Sequence, residues 1–388
     1  MTTNDNKLKL IAQKAKQDPK SKFPLLMELI DQEGLVKSYK KLNKDSASGA
    51  DGITVRQYGT NLEDKIKELY SKITKKTYKP QPVKRVYIPK KGKDAFRPLG
   101  LPSVEDKVVQ MKLKEILEAI YEQDFLYCSY GFRPDKSCHM VIKELHDAVM
   151  HEPVNYIVEV DVKQFFGHVN HKWLYEMLKL RISDPRFLGL IWKILKAGEL
   201  ENSKITISEE GTPQGGIISP ILANVYLHYV LDLWFEKSFK PRARGYVQLI
   251  RYCDDFVVVC ESEHDANDFL TQLKNRFAKF NLEVSPEKTQ ILKFGRAAWK
   301  RSKQTGEKVK TFDFLGFTHY CTKSRKGWFI MAHKTAKDGL ASKLKDFNGW
   351  LIDNRNMLPL DVLWKHARIK LMGHFNYFGI NGNMRSLQ

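Results

Sequence analysis

The run Val247-Gln248-Leu249-Ile250-Arg251-Tyr252-Cys253-Asp254-Asp255-Phe256-Val257-Val258-Val259-Cys260 decides how this chain reads. Two β-forming segments flank adjacent aspartates, so the run predicts two short strands meeting at a tip, and hairpin tips accept Asp readily. The pair serves either as an exposed turn or as ligands. A second stretch bears on that choice. In Ile157-Val158-Glu159-Val160-Asp161-Val162 the residues alternate. Val158, Val160 and Val162 share one face, suited to a core, and Ile157, Glu159 and Asp161 share the other. This strand, expected over residues 155–162, brings a carboxylate to a point just before Phe165-Phe166. If it pairs with the hairpin, three carboxylates converge.

Such a cluster repels itself unless cations sit in it. Mg²⁺ favours carboxylate oxygen together with substrate phosphate. Two such ions about 3.5–4 Å apart can activate a 3′-hydroxyl and stabilise a leaving pyrophosphate. Between the two acidic elements lies Gly211-Thr212-Pro213-Gln214-Gly215-Gly216. Paired glycines let a backbone approach a ligand closely, and Gln214 offers donor and acceptor; an ordinary turn is the plainer reading of that loop alone. Ser219-Pro220 then predicts a helix start running through Phe235, with Ser as cap and Pro at the first position.

Around these elements the chain is strongly basic. Its 388 residues carry 65 Lys plus Arg against 45 Asp plus Glu, a net charge of +20, which attracts polyanions. Ten basic residues against Asp94 alone lie between Ser71 and Arg97, and eight against Glu307 alone between Lys288 and Lys310. Aromatics interleave with both blocks, which favours nucleic acid over a merely solvated face. No stretch approaches the roughly 20 apolar residues of a membrane span, and the N-terminus has no apolar signal core, so the chain reads as cytoplasmic, with no membrane partner. Five cysteines without metal-type spacing read as free thiols. Helical spacing is expected over Val104–Tyr121, a strand over Asp313–Tyr320, and mostly helix over Thr335–Phe378 with breaks at Pro359 and Gly373. The whole reads as α+β.

Asp161-Val162-Lys163-Gln164-Phe165-Phe166, then Thr212-Pro213-Gln214-Gly215-Gly216, then Tyr252-Cys253-Asp254-Asp255 resemble motifs A, B and C of reverse transcriptases. Pro89-Lys90-Lys91-Gly92 through Arg97-Pro98-Leu99-Gly100-Leu101-Pro102, and Tyr130-Gly131-Phe132-Arg133-Pro134, resemble the fingers blocks of bacterial group II intron enzymes. Leu282–Thr289 resembles motif D, and Phe314-Leu315-Gly316-Phe317 resembles motif E. The resemblance implies a right-hand polymerase fold. An N-terminal helical extension would occupy 1–70, fingers 71–150, a palm with an antiparallel sheet 151–325 and a helical thumb 326–388. It implies Asp161, Asp254 and Asp255 as catalytic acids. With Val162 they would hold two Mg²⁺ ions, and dNTPs would be the substrates. Lys91, Arg97, Phe166, Gln214 and Lys288 would meet the nucleotide, with Phe166 against the sugar 2′ position. Tyr252, Gly215, Leu315 and Gly316 would meet primer or template. Departures from the pattern are Cys253, where many relatives have Ala, and Gly167, where many have Asp.

The resemblance implies RNA-directed DNA synthesis on a structured non-coding RNA, giving a cDNA. Only ten residues follow Phe378, so the zinc-associated endonuclease tail of many intron proteins is expected to be missing. This favours a stand-alone enzyme in antiphage defence. Two rivals remain open: a group II intron reverse transcriptase and maturase without that tail, and an RNA-binding splicing cofactor that needs no catalysis. Phe166 disfavours RNA synthesis. Oligomeric state is left open.

Overall fold

The computed structural model describes residues 3–89, 96–201, 204–207, 210–211 and 215–387. Lys91 and Gln214 lie outside the described residues. The described strands are β1 (Val83–Pro89), β2 (Phe96–Leu101), β3 (Tyr156–Val160), β4 (Glu199–Glu201), β5 (Lys204–Thr206), β6 (Val247–Tyr252), β7 (Asp255–Cys260), β8 (Gln290–Lys293), β9 (Phe312–Phe314), β10 (Phe317–Lys323) and β11 (Phe329–Thr335). They form three sheets, ordered β2-β1-β4-β5, β6-β7-β3-β8 and β11-β10-β9. Pairing is antiparallel apart from β1 with β4, and helices pack around the sheets, the α+β architecture expected.

The central sheet carries apolar side chains to both of its faces. Val158, Val160 and Val162 enter one core with the Val104–Tyr121 and Ser219–Leu227 helices. Ile157 enters a second core with Val257, Val259 and Leu292, so the non-valine face is buried at that end. The predicted Val104–Tyr121 helix is present over that span, capped by the Ser103 hydroxyl on the Asp106 amide. The leading helices Thr3–Gln17, Gln32–Lys41 and Leu62–Thr74 belong to the first core as well. Arg181, buried, holds that segment by donating to the Ala15, Asp18 and Ser21 carbonyls at 3.1–3.2 Å.

The structure corrects three expectations. The Asp313–Tyr320 strand is two strands, β9 and β10, joined by Leu315-Gly316. Both residues have positive φ, 51° and 78°, which turns the chain back in two residues. Strand β11 follows, at the start of the 326–388 segment expected as a helical thumb and ahead of the helical stretch read from Thr335. Gly373 lies inside the Leu360–Phe378 helix rather than breaking it, while Pro359 does mark that helix's start. The helix from Ser219 becomes π-helical over His228–Asp232, where the Leu233 amide donates to the His228 carbonyl. No helix among the described residues is long and apolar enough to cross a membrane.

On β10, His319 is fully buried opposite His333, stacked on Phe312 at 5.0 Å between centroids. Burial, and then His333, pull its pKa down to about 3. His319 is therefore neutral when folded and binds a proton on unfolding below its ordinary value of 6.5. Stability falls as pH drops from 6.5 toward 3. Replacing His319 by Phe is expected to reduce the loss between pH 6.5 and 5 by about 1.5 kcal/mol, at 1.36 kcal/mol per pH unit. Denaturant titrations at the two pH values measure it.

Candidate active site

The register of the central sheet brings the three aspartates to one end. Strand β3 pairs with β7 up to Val160 opposite Phe256, so the next residues, Asp161 and Asp255, follow side by side. Asp255 opens β7 opposite Tyr252, which leaves Cys253-Asp254 as the turn. Cys253 has φ 58°, a conformation strained for a side chain other than glycine. The turn is held from behind. A Cβ on Gly131 would fall 2.3 Å from the Cys253 amide nitrogen, so only glycine lets that loop pass.

Arg251 fixes the turn. Its guanidinium donates to both Asp232 oxygens (2.7 and 2.5 Å), to the Asn224 side-chain oxygen (3.0 Å), to the Cys253 carbonyl (2.9 Å) and to the Ser129 hydroxyl (2.8 Å). Arg251 and Asp232 are both 0% exposed. Asn224 also donates to the Gly131 carbonyl at 2.7 Å, so the same network grips both loops. Asp232 belongs to the π-helical turn, which shifts the phase of the helix at the residue that meets Arg251. None of Arg251, Asp232, Asn224, Ser129 and Gly131 was singled out from sequence for this role. The available signal was an arginine inside the apolar run Val247–Tyr252 and an aspartate inside an equally apolar helix. A buried charge left alone costs about 3–5 kcal/mol, whereas replacing the pair by apolar residues is often neutral. Asp232→Ala is therefore expected to lose about that much folding free energy, and Arg251→Met combined with Asp232→Leu markedly less, in urea unfolding of both proteins.

Burial and neighbouring charge raise the pKa of both hairpin acids. Asp254 is raised chiefly by burial and also by Asp161; hydrogen bonds from its own amide and the Cys253 thiol oppose this, as does the charge of Arg97. Asp255 keeps an exposed surface, and desolvation by the protein around it, then Asp254, Asp161 and Glu159, push its pKa up to about 6. Asp161 is gripped by the segment ahead of β8. Its carbonyl accepts from the Ser285 amide at 2.8 Å, and its carboxylate accepts from Lys288 at 2.9 Å. Next to it, Val162 bridges Val284, and the hydrogen bonds flanking that bridge use the Asp161 and Glu283 carbonyls rather than its own. Among the described residues, no three His, Cys, Asp or Glu side chains are already drawn into a cage for an ion. The donor set is nonetheless all oxygen and its charges repel, which suits a hard divalent cation.

The remaining candidates fall around this end. Phe166 is half-buried, edge-on to the buried Phe165 at 5.3 Å. Gly167 continues the short helix from Phe165 with open space around it, so the departure from Asp there strains nothing. Arg97 is exposed on β2, and its charge reaches Asp254. Gly215, at φ 108°, crosses β2 so closely that a Cβ would lie 2.7 Å from the Gly100 carbonyl oxygen. Tyr252 shares the Cys138 thiol with Tyr377. Tyr377 in turn donates to the Leu315 carbonyl at 2.9 Å, and Gly316 lies against Phe378. The Asp-Asp hairpin and the Leu315-Gly316 turn are thus joined through the last helix.

Residues 88–319 match the reverse transcriptase (RNA-dependent DNA polymerase) family. Over 271 residues the chain is 35% identical to the group II intron-encoded protein LtrA of Lactococcus lactis subsp. cremoris, a match covering 67% of this chain and 45% of that protein. It is 33% identical over 278 residues to protein YkfC of Escherichia coli (strain K12), covering 63% of this chain and 72% of YkfC. An uncharacterized 91 kDa protein in the cob intron of Schizosaccharomyces pombe (strain 972 / ATCC 24843) is 26% identical over 415 residues, covering 92% of this chain and 50% of that protein. The chain thus spans about half the length of two of these three relatives. With the family match extending over more than half of its residues, the chain belongs to the reverse transcriptase family, in its bacterial group II intron-like branch.

Proposed function

We propose that this protein is an RNA-directed DNA polymerase that copies a structured RNA into cDNA from dNTPs. The observation that carries the reading is the arrival of Asp161 beside Asp255 and Asp254, at one end of a sheet whose buried residues are mostly apolar. In this reading the fingers span 71–150, the palm 151–325 and the thumb 326–388. Asp161, Asp254, Asp255 and the Val162 carbonyl would hold two Mg²⁺ ions, which when bound activate the primer 3′-hydroxyl and stabilise the leaving pyrophosphate. Arg97, with Lys91, neutralises the triphosphate by charge-assisted hydrogen bonds. Gln214 meets the incoming nucleotide, and Gly215 lets the backbone come close to primer or template. The Lys288 ammonium, held on Asp161, is placed to hand a proton to the departing pyrophosphate. Tyr252 packs near the primer end, and the Leu315-Gly316 turn supports the primer strand.

Two settings suit such an enzyme. Copying a separate RNA in defence against phage is the one we favour from the sequence. Several relatives carry intron names, which supports mobility and splicing of a group II intron instead. Intron RNA domains flanking the gene would decide for the second, and unchanged phage plating on deleting the gene would reject the first.

Replacing Asp254 and Asp255 by Ala is expected to cut primer extension by about a thousandfold or more, equivalent to several kcal/mol of transition-state stabilisation, while leaving RNA affinity within about twofold. Retained synthesis would reject the acid assignment; lost RNA affinity would point to misfolding or to a purely RNA-binding role. Phe166→Ala is expected to raise ribonucleotide incorporation relative to deoxyribonucleotide incorporation in single-nucleotide extension, and an unchanged ratio would place sugar discrimination elsewhere.

A further inference from the structure

The basic block after Lys288 does not lie at the acidic end of the central sheet. Strand β8 runs away from that end, from Gln290 opposite Glu159 to Lys293 opposite Tyr156. Gly295 then packs on the Val154 carbonyl, and the Arg296–Thr305 helix begins there. Asp161 lies five residues further along the chain from Tyr156, roughly 16 Å at 3.3 Å per residue. The tip between β10 and β11 reaches the same distal end. Trp299 of the helix meets Phe329, the first residue of β11, at 5.7 Å between ring centroids, and the Arg296 guanidinium sits 5.7 Å from the same ring. The tip is closed by the Ser324 amide donating to the Trp328 carbonyl and the Trp328 amide donating to the Ser324 hydroxyl. The Trp328 side chain is thereby held 70% exposed. Arg325 and Lys326, on the same tip as Trp328, are exposed, as are Lys300 and Lys303 on the helix, and no acidic residue occurs in the sequence between Asp313 and Asp338.

We propose that this distal face, formed by the Arg296–Thr305 helix and the β10–β11 tip, binds RNA outside the polymerase cleft, with an unpaired base stacked on Trp328. The inference rests on the reading that the chain works on RNA and adds a second site to it. Exposed cations on the same tip as a pre-placed indole suit a single-stranded loop carried on a stem, because the cations follow the backbone and the ring accepts any base. A bilayer surface fits less well. The one large apolar side chain of the helix, Trp299, is spent on Phe329, which leaves no apolar stripe to enter lipid.

The test uses the full chain, a stem-loop RNA, a blunt RNA duplex lacking the loop, and a short primer on a homopolymer template. Arg325→Glu combined with Lys326→Glu is expected to weaken stem-loop binding at least tenfold and to lower the salt slope by about two. Trp328→Ala is expected to weaken stem-loop binding about five- to a hundredfold while leaving the duplex unaffected. Both variants should extend the homopolymer primer within about twofold of the unaltered protein. Unchanged affinity and slope would overturn the proposal. Primer extension falling in step with stem-loop binding would overturn it too, by placing the face in the cleft, as would loss of binding to anionic phosphatidylserine vesicles but not to RNA. If the unaltered protein binds the stem-loop yet extends no primer, the polymerase reading fails while the binding comparison still decides the site.

Discussion

A single guanidinium, sealed from water, sets the shape of the acidic end. Arg251 is the one basic residue of β6, and its acceptors are spread over the Ser219–Leu227 helix, the π-helical turn, a loop and the hairpin tip. A charge in that position is tolerable only while all of its partners stay in place, so the network is satisfied as a whole or fails as a whole. That requirement locks the strained Cys253 conformation and with it the direction of Asp254. The apolar body of the sheet supplies the stability; the buried ion pair supplies the geometry.

The acids at that end store repulsion. Burial and neighbouring acids, Asp161 among them, disfavour ionisation of Glu159, Asp254 and Asp255, and the charges of Arg97 on Asp254 and Lys288 on Asp255 offset it only in part. The two cations come from different elements, Lys288 from the segment ahead of β8 and Arg97 from β2. The acidic end thereby ties those elements to the same point. The closeness of Gly215 to Gly100 does the same for the loop that precedes the Ser219 helix.

Much of this was legible from the chain alone, and the reasons are local. Alternation in Ile157–Val162, apolar runs on either side of Asp254-Asp255, the apolar spacing of Val104–Tyr121 and the Ser219-Pro220 helix start are short-range signals, and each element formed near where it was expected, with Ile218 rather than Ser219 at the cap of the last. What could not be read depends on partners far away in sequence. Leu315 in a left-handed turn costs roughly 1–2 kcal/mol by itself, and it is held by a hydroxyl from Tyr377, 62 residues on. Gly373 reads as a breaker, yet a glycine inside a helix costs only about 1 kcal/mol, which a long helix absorbs. The role of Arg251 needed Asp232 and Ser129 brought to it, and no spacing rule encodes that meeting. The β1–β4 pairing, the one parallel contact among the named strands, likewise joins segments more than a hundred residues apart.

The grip of Arg181 on the leading segment has a consequence for how the chain can be shortened. Beside its ion pair with Asp124 at 2.9 Å, this buried guanidinium relies on the Ala15, Asp18 and Ser21 carbonyls as acceptors in place of water, and Phe23 adds a backbone exchange with the strand-like stretch around Ile182. Clipping the front of the protein would not peel away a dispensable appendage. It would remove part of the cushion under a cation and open the interior between the Val104–Tyr121 helix and its neighbours, so residues 15–23 behave as part of the foundation.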